Sequence, residues 1–66
     1  MAVVKVIEIL AESTKSWEDA TQIAVTEASK TVKNIQSVYV KDFQAVVSDG
    51  IITRYRVDAK ISFIVE

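Results

Sequence analysis

The sequence predicts an α+β fold, in which a three-stranded antiparallel sheet curls around one amphipathic helix in the order β-α-β-β. Three observations predict it. From Ile51 onward alternate residues are mostly apolar (Ile51, Tyr55, Val57, Ala59, Ile61, Phe63, Val65), while Arg54, Arg56, Asp58 and Lys60 lie between them. A period of two marks a strand with one buried face. Asp49-Gly50 separates this run from a second one, and that pair favours a two-residue hairpin because both positions take positive φ. Between Ser16 and Asn34 the apolar period lengthens to that of a helix.

Residues 3–11, rich in Val and Ile and short for a helix, read as the first strand, with Lys5 and Glu8 on opposite faces. Ser16-Trp17-Glu18-Asp19 is a capping box with Asp in place of Glu, and its two carboxylates favour a helix start. Trp17, Ala20, Thr21, Ala24, Ala28, Thr31, Val32 and Ile35 then project onto one stripe. The reading is a helix of about five turns, roughly 27 Å long, ending near Asn34 with lysines in its last turn. Small residues on that stripe let it sit close to a sheet, and Trp17 reads as a core anchor.

The second strand runs from about Gln36 to Val47. If Ser48 pairs with Ile51, then Tyr39 meets Lys60, Val38 meets Ile61 and Val40 meets Ala59. Further along, Lys41 meets Asp58, Phe43 meets Arg56, Ala45 meets Arg54, Asp42 meets Val57 and Gln44 meets Tyr55. Asp42 and Gln44 fit the apolar face badly. Either a bulge shifts the strand near Asp42, or the outer half of the hairpin leaves the cover of the helix. The second is preferred, because residues 51–65 extend over about 50 Å and outreach any such helix. The first strand is expected to pair with the third.

Sixty-six residues make one domain, residues 1–66, with no Cys and no His to staple it by disulfide or zinc, which leaves oligomerisation as the usual source of added stability. Eight basic against nine acidic residues, with no basic run, argue against nucleic acid. Apolar runs are far short of a membrane span, and the lack of a targeting segment makes cytoplasm the expectation. Without His or Cys a nucleophile-base pair would need Ser or Thr with Lys, and the chain reads as a non-enzyme. One Gly excludes a phosphate loop. Glu12, Asp42, Asp49, Asp58 and Glu66 are loose calcium candidates, each read first as a surface charge, and the metal stays unassigned. Arg54 and Arg56 on one strand face suit an anion or, preferred here, a neighbouring subunit's carboxylates.

Lys5-Val6-Ile7-Glu8-Ile9, Ser16-Trp17-Glu18-Asp19-Ala20, Ala28-Ser29-Lys30-Thr31-Val32-Lys33-Asn34-Ile35, and Asp49-Gly50 with Tyr55 and Phe63 resemble the dodecins in order and spacing over essentially the whole chain. The resemblance implies a β-α-β-β subunit of a hollow homododecamer, with self as partner. It also implies a small ligand, a flavin (riboflavin, FMN or FAD), stored at subunit contacts. In the family a Trp at the start of the second strand stacks on the flavin ring and a Gln in the third strand hydrogen-bonds it. The matching positions are Ser37 and Arg56, and both depart from the pattern. Asp42 matches a position that is acidic in some flavin-binding members and is expected toward the ribityl chain. The alternative expectation is a shell of the same fold that has lost flavin and binds an ion or another solute, or serves as a structural or interaction module.

Overall fold

The computed structural model describes residues 2–65. Its elements are β1 (Val3–Ser13), α1 (Trp17–Ala28), β2 (Ile35–Ser48) and β3 (Ile51–Val65). The sheet is antiparallel in the order β1-β3-β2, so β3 is central and β1 pairs with it, as expected. Asp49 (φ 52°) and Gly50 (φ 74°) both take positive φ in the hairpin turn, as the Asp-Gly pair predicts.

Alternation fixes two faces. Val57, Ala59 and Ile61 of β3 are fully buried against α1, joined by Ala11 of β1 and by Ala20, Ala24 and Ala28 of the helix. The alanine stripe brings the helix axis close to the sheet. The opposite, far face carries Val4, Val6, Glu8, Leu10 and Glu12 from β1 and Arg54, Arg56, Asp58, Lys60 and Ser62 from β3.

The helix starts where the capping box places it. Ser16 Oγ accepts from Asp19 N–H at 2.9 Å. The Asp carboxylate does not return to the cap; it accepts from the hydroxyl of buried Ser13 at 2.6 Å. Ser13 Oγ in turn accepts from Lys15 N–H (2.9 Å), and so ties the end of β1 to the helix start.

The helix ends earlier than the apolar stripe predicts, at Ala28 rather than near Asn34. Ser29 Oγ donates back to the carbonyls of Val25 and Thr26, and the N–H groups of Thr31 and Val32 both bond to Ala28 O. Asn34 then takes φ 63° and turns the chain into β2. Thr31, Val32, Ile35, Lys30 and Lys33 therefore lie beyond the helix, and its last turn contains no basic residue. Twelve residues span only about 18 Å, against a molecule 51 Å in its longest dimension. Its radius of gyration, 13.4 Å, exceeds the roughly 11 Å of a compact chain of this length.

The hairpin register holds as expected for Val38–Ile61, Tyr39–Lys60 and Val40–Ala59, then shifts by one residue at Lys41. Beyond it Asp42 faces Asp58, Phe43 faces Val57, Gln44 faces Arg56 and Ala45 faces Tyr55, correcting the pairings predicted for Lys41, Asp42, Phe43, Gln44 and Ala45. The bulge passed over in the sequence reading is therefore present. One extra residue swaps the faces of all that follow it. Asp42 and Gln44 thus move to the polar far face, and Phe43 moves to the helix side. A further shift, between Val46 and Val47, restores the register expected from the turn, with Ser48 opposite Ile51.

Trp17 secures this arrangement. Its Nε1–H donates to Gln44 O at 2.9 Å, and its ring meets Tyr55 and Phe43 edge to face at centroid distances of 4.9 and 6.0 Å. It is the anchor expected, and it grips the hairpin beyond the bulge.

Candidate functional site

Ser37, Asp42 and Arg56 all lie on the far face of the sheet. Ser37 faces Ser62 and the two hydroxyls bond to each other. Asp42 faces Asp58, and Arg56 faces Gln44. Measured along β3, Asp42 lies about 7 Å from Arg56 and Ser37 about 20 Å from it. One chain brings Asp42 and Arg56 into one neighbourhood and leaves Ser37 apart.

Arg56 is engaged within its own chain. Its Nε donates to Glu12 Oε2 at 2.7 Å, its Nη2 donates to the same oxygen, and its Nη1 lies 3.5 Å from Gln44 Oε1. Arg54 Nη1 donates to the other oxygen, Glu12 Oε1, at 3.2 Å. The bond from Arg56 and the nearby Arg54 charge hold the Glu12 carboxyl below its ordinary range, against the opposing effect of desolvation. Within the chain, the carboxylate that meets both arginines comes from β1. Glu12 and Gln44 were not recognised as its partners, because the β1–β3 register that aligns Glu12 with Arg56 is set by no local turn.

A second cluster lies further along. The carboxyls of Glu8 and Asp58 meet, which pushes Asp58 up and holds Glu8 down. Burial raises both, while Lys41 and Lys60 lower both. Lys41 Nζ lies 3.6 Å from Glu8 Oε2. Asp58 Oδ1 is shielded from solvent and makes no hydrogen bond. Of the loose calcium candidates, Glu12 belongs to the arginine cluster, Asp49 to the hairpin turn, and Glu66 lies outside the described residues. Among the described residues no three metal-binding side chains converge.

Apolar residues frame these polar groups. Leu10 is 65% exposed and Tyr39 64% exposed on the far face, with Val4 and Val6 beside them, and Phe43, at 63%, stands on the helix side of the distal hairpin. A ring at the family's stacking position is missing, since Ser37 supplies a hydroxyl already bonded to Ser62. Arg56, clamped by Glu12, offers donors where a Gln would offer both a donor and an acceptor. Among the described residues no helix is long and apolar enough to cross a membrane.

A strand ribbon that outreaches its single helix, with a mixed polar and apolar face left open, defines a small α+β protein. The chain belongs to the dodecin family, whose profile matches residues 3–66. Among solved structures it is similar to an arginine-to-alanine variant of the dodecin of Thermus thermophilus (TM-score 0.94, 26% identity, covering 100% of this chain and 98% of that one). It is equally similar to dodecin from Streptomyces coelicolor (TM-score 0.94, 26% identity, 98% and 93% covered). A calcium-chelating antigen of Mycobacterium tuberculosis, calcium dodecin, matches with TM-score 0.85 at 33% identity over 97% of this chain and 91% of that one. No curated protein sequence matches the chain.

Proposed function

We propose that this protein is a non-catalytic, self-assembling small-ligand binder, a homododecameric shell that holds its ligand between subunits on the far face of the sheet. The observation that carries this reading is the spread of Ser37, Asp42 and Arg56 over about 20 Å of an open face flanked by uncovered Val4, Val6, Leu10 and Tyr39. A ligand touching all three positions needs a second copy to complete its surroundings. Flavin binding is inherited in weakened form, because stacking is worth on the order of 1–3 kcal/mol per ring and Ser37 supplies none. Sedimentation at micromolar concentration tests the assembly, and a stable monomer or dimer would end it. Titration with riboflavin, followed by its fluorescence, tests the ligand: weak quenching by the native chain and roughly tenfold tighter binding by Ser37→Trp are expected.

A second reading is supported by the orphaned Asp58 Oδ1 and by the calcium named for the Mycobacterium relative: a divalent cation between subunits, reached by Asp58 and Asp42. Calorimetric titration with calcium, silent for the native protein, would remove it.

A further inference from the structure

The chain carries five aromatic rings. Trp17, Phe43 and Tyr55 meet one another on the helix side, and Phe63 alternates onto that side with Val57, Ala59 and Ile61. Tyr39 alone stands on the far face, exposed and, among the described residues, in contact with no other ring. The strand register sets Lys60 directly opposite it, and the bonded hydroxyls of Ser37 and Ser62 lie one step further along the same face. Lys41 is drawn toward Glu8. Lys60 is half-buried on the central strand and forms no ion pair among the described residues; its charge acts on Glu8 and Asp58 without a salt bridge to either.

We propose that Tyr39 and Lys60 together form a subsite for a planar heteroaromatic ligand, with Tyr39 as the platform under the ring and Lys60 as the donor to a carbonyl on its edge. The inference rests on the ligand-binding reading above and names the chemistry of that ligand. It sets the ring contact one pleat, about 7 Å, away from Ser37. Val4, Val6 and Leu10 offer apolar area on this face but no π surface, so a flat ligand spread over it gains stacking at one position only. A tyrosine ring has few rotatable bonds and loses little freedom when it is covered. The choice of edge follows from Lys60. A ligand that covers Tyr39 also covers the residue opposite, and an ammonium only donates. A saturated apolar ligand would strip water from that charge and return nothing, which is costly. A ring with a carbonyl at its rim returns an acceptor, and the Ser37 and Ser62 hydroxyls, which both donate and accept, extend the choice along the same side.

The test is titration of the full protein with riboflavin, a planar probe with carbonyls on its ring, followed by the probe's fluorescence. Native protein is compared with Tyr39→Phe, Tyr39→Leu and Lys60→Met. Tyr39 is exposed, so its variants leave the core as it is. Tyr39→Phe keeps the ring and is expected to hold affinity within about twofold, whereas Tyr39→Leu keeps apolar area without a ring and is expected to lose about tenfold. Lys60→Met keeps the stem without the charge, with an expected loss of about three- to tenfold. Unchanged affinity in Tyr39→Leu or in Lys60→Met overturns the subsite and leaves the ligand-binding reading standing. Equal losses in Tyr39→Phe and Tyr39→Leu overturn it as well, because the contact would then belong to the hydroxyl and not to the ring. No quenching by native protein that sediments as an assembly overturns the subsite and takes ring ligands out of the proposed function, without touching the assembly itself.

Discussion

Replacing Ala24 by leucine should cost much of the stability that one chain derives from its own core. Ala24 is 1% exposed and lies one turn from both Ala20 and Ala28, on the stripe that packs with Val57, Ala59 and Ile61 of β3. Leucine adds three carbons where the helix is already in contact with the sheet, and overpacking of this kind costs about 1–3 kcal/mol. Helix propensity does not account for such a loss, since alanine and leucine differ by only a few tenths of a kcal/mol. With a urea dependence of about 1 kcal/mol per molar for so small a chain, the unfolding midpoint falls by about 1–3 M. The control is Gln22→Leu, the same side chain added on the exposed side of the same helix, with an expected change within about 0.5 kcal/mol. Both variants are compared with the native protein at one concentration, because the proposed assembly would add its own stability. Equal midpoints for Ala24→Leu and Gln22→Leu would refute the argument that the alanine stripe sets the distance between helix and sheet.

Trp17→Phe keeps an aromatic ring near Tyr55 and Phe43 but removes the hydrogen bond to Gln44 O, at a cost of about 1 kcal/mol. Hydrogen exchange should quicken at the amides around the Lys41 bulge, and unchanged protection there would mean that Trp17 does not hold the distal hairpin. The Glu8–Asp58 pair makes stability depend on pH in a defined direction. The contribution from Asp58, whose carboxyl is pushed up by its hydrogen bond to Glu8, is fully present below the ordinary Asp value and is lost as pH rises through the raised value. The contribution from Glu8, held down by the bond from Asp58, is present above the ordinary Glu value and is lost as pH falls through the lowered one. Stability from this pair therefore peaks between the two and declines toward neutral pH. Asp58→Asn, which keeps a donor toward Glu8 without the ionisation, should flatten that decline in thermal scans across the acid-to-neutral range; parallel profiles for variant and native protein would remove the shared proton.

The features written locally in the chain were legible, and those set by distant partners were not. Alternation from Ile51 to Val65 gave β3 its buried face, and Asp49-Gly50 gave the turn. The helix start was written in Ser16 and Asp19, but its end was not, because no Gly or Pro follows and the apolar stripe runs on through Thr31, Val32 and Ile35. The stop is made by Ser29, whose hydroxyl bonds back into the last turn. Asp42 and Gln44 betrayed a misfit without saying how it would be relieved. A bulge needs no special residue type; here it is Lys41, and the hairpin beyond it is gripped by Trp17, far away in sequence. The arginine cluster shows the same limit. The charge on the outer side of β3 was plain, but Glu12 meets Arg54 and Arg56 only through a strand register fixed across the helix connection.

Stability and ligand binding draw on the same uncovered surface. Of the seven buried apolar core residues five are alanine, which leaves Val57 and Ile61 as the large side chains fully withdrawn from water. Ten large apolar residues of the described chain remain exposed. The accessible surface, 4745 Å², exceeds the roughly 4,200 Å² of a compact monomer of this mass by on the order of 500 Å². At about 25 cal/mol per Å² of apolar surface, covering an excess of that size is worth up to roughly 12 kcal/mol before the costs of association. A single core in so small a chain rarely supplies more than about 3–5 kcal/mol. The large apolar side chains of the described residues are therefore mostly on the outside, where the proposed assembly would cover them. Val4, Val6, Leu10 and Tyr39 among them share the far sheet face with the polar groups proposed to recognise a ligand. If the proposed shell holds a ligand there, that ligand binds the assembled form and not the separated chain, and it would raise the stability of the whole shell by mass action. Unfolding measured with and without a candidate ligand then reports occupancy even for a ligand that has no optical signal of its own.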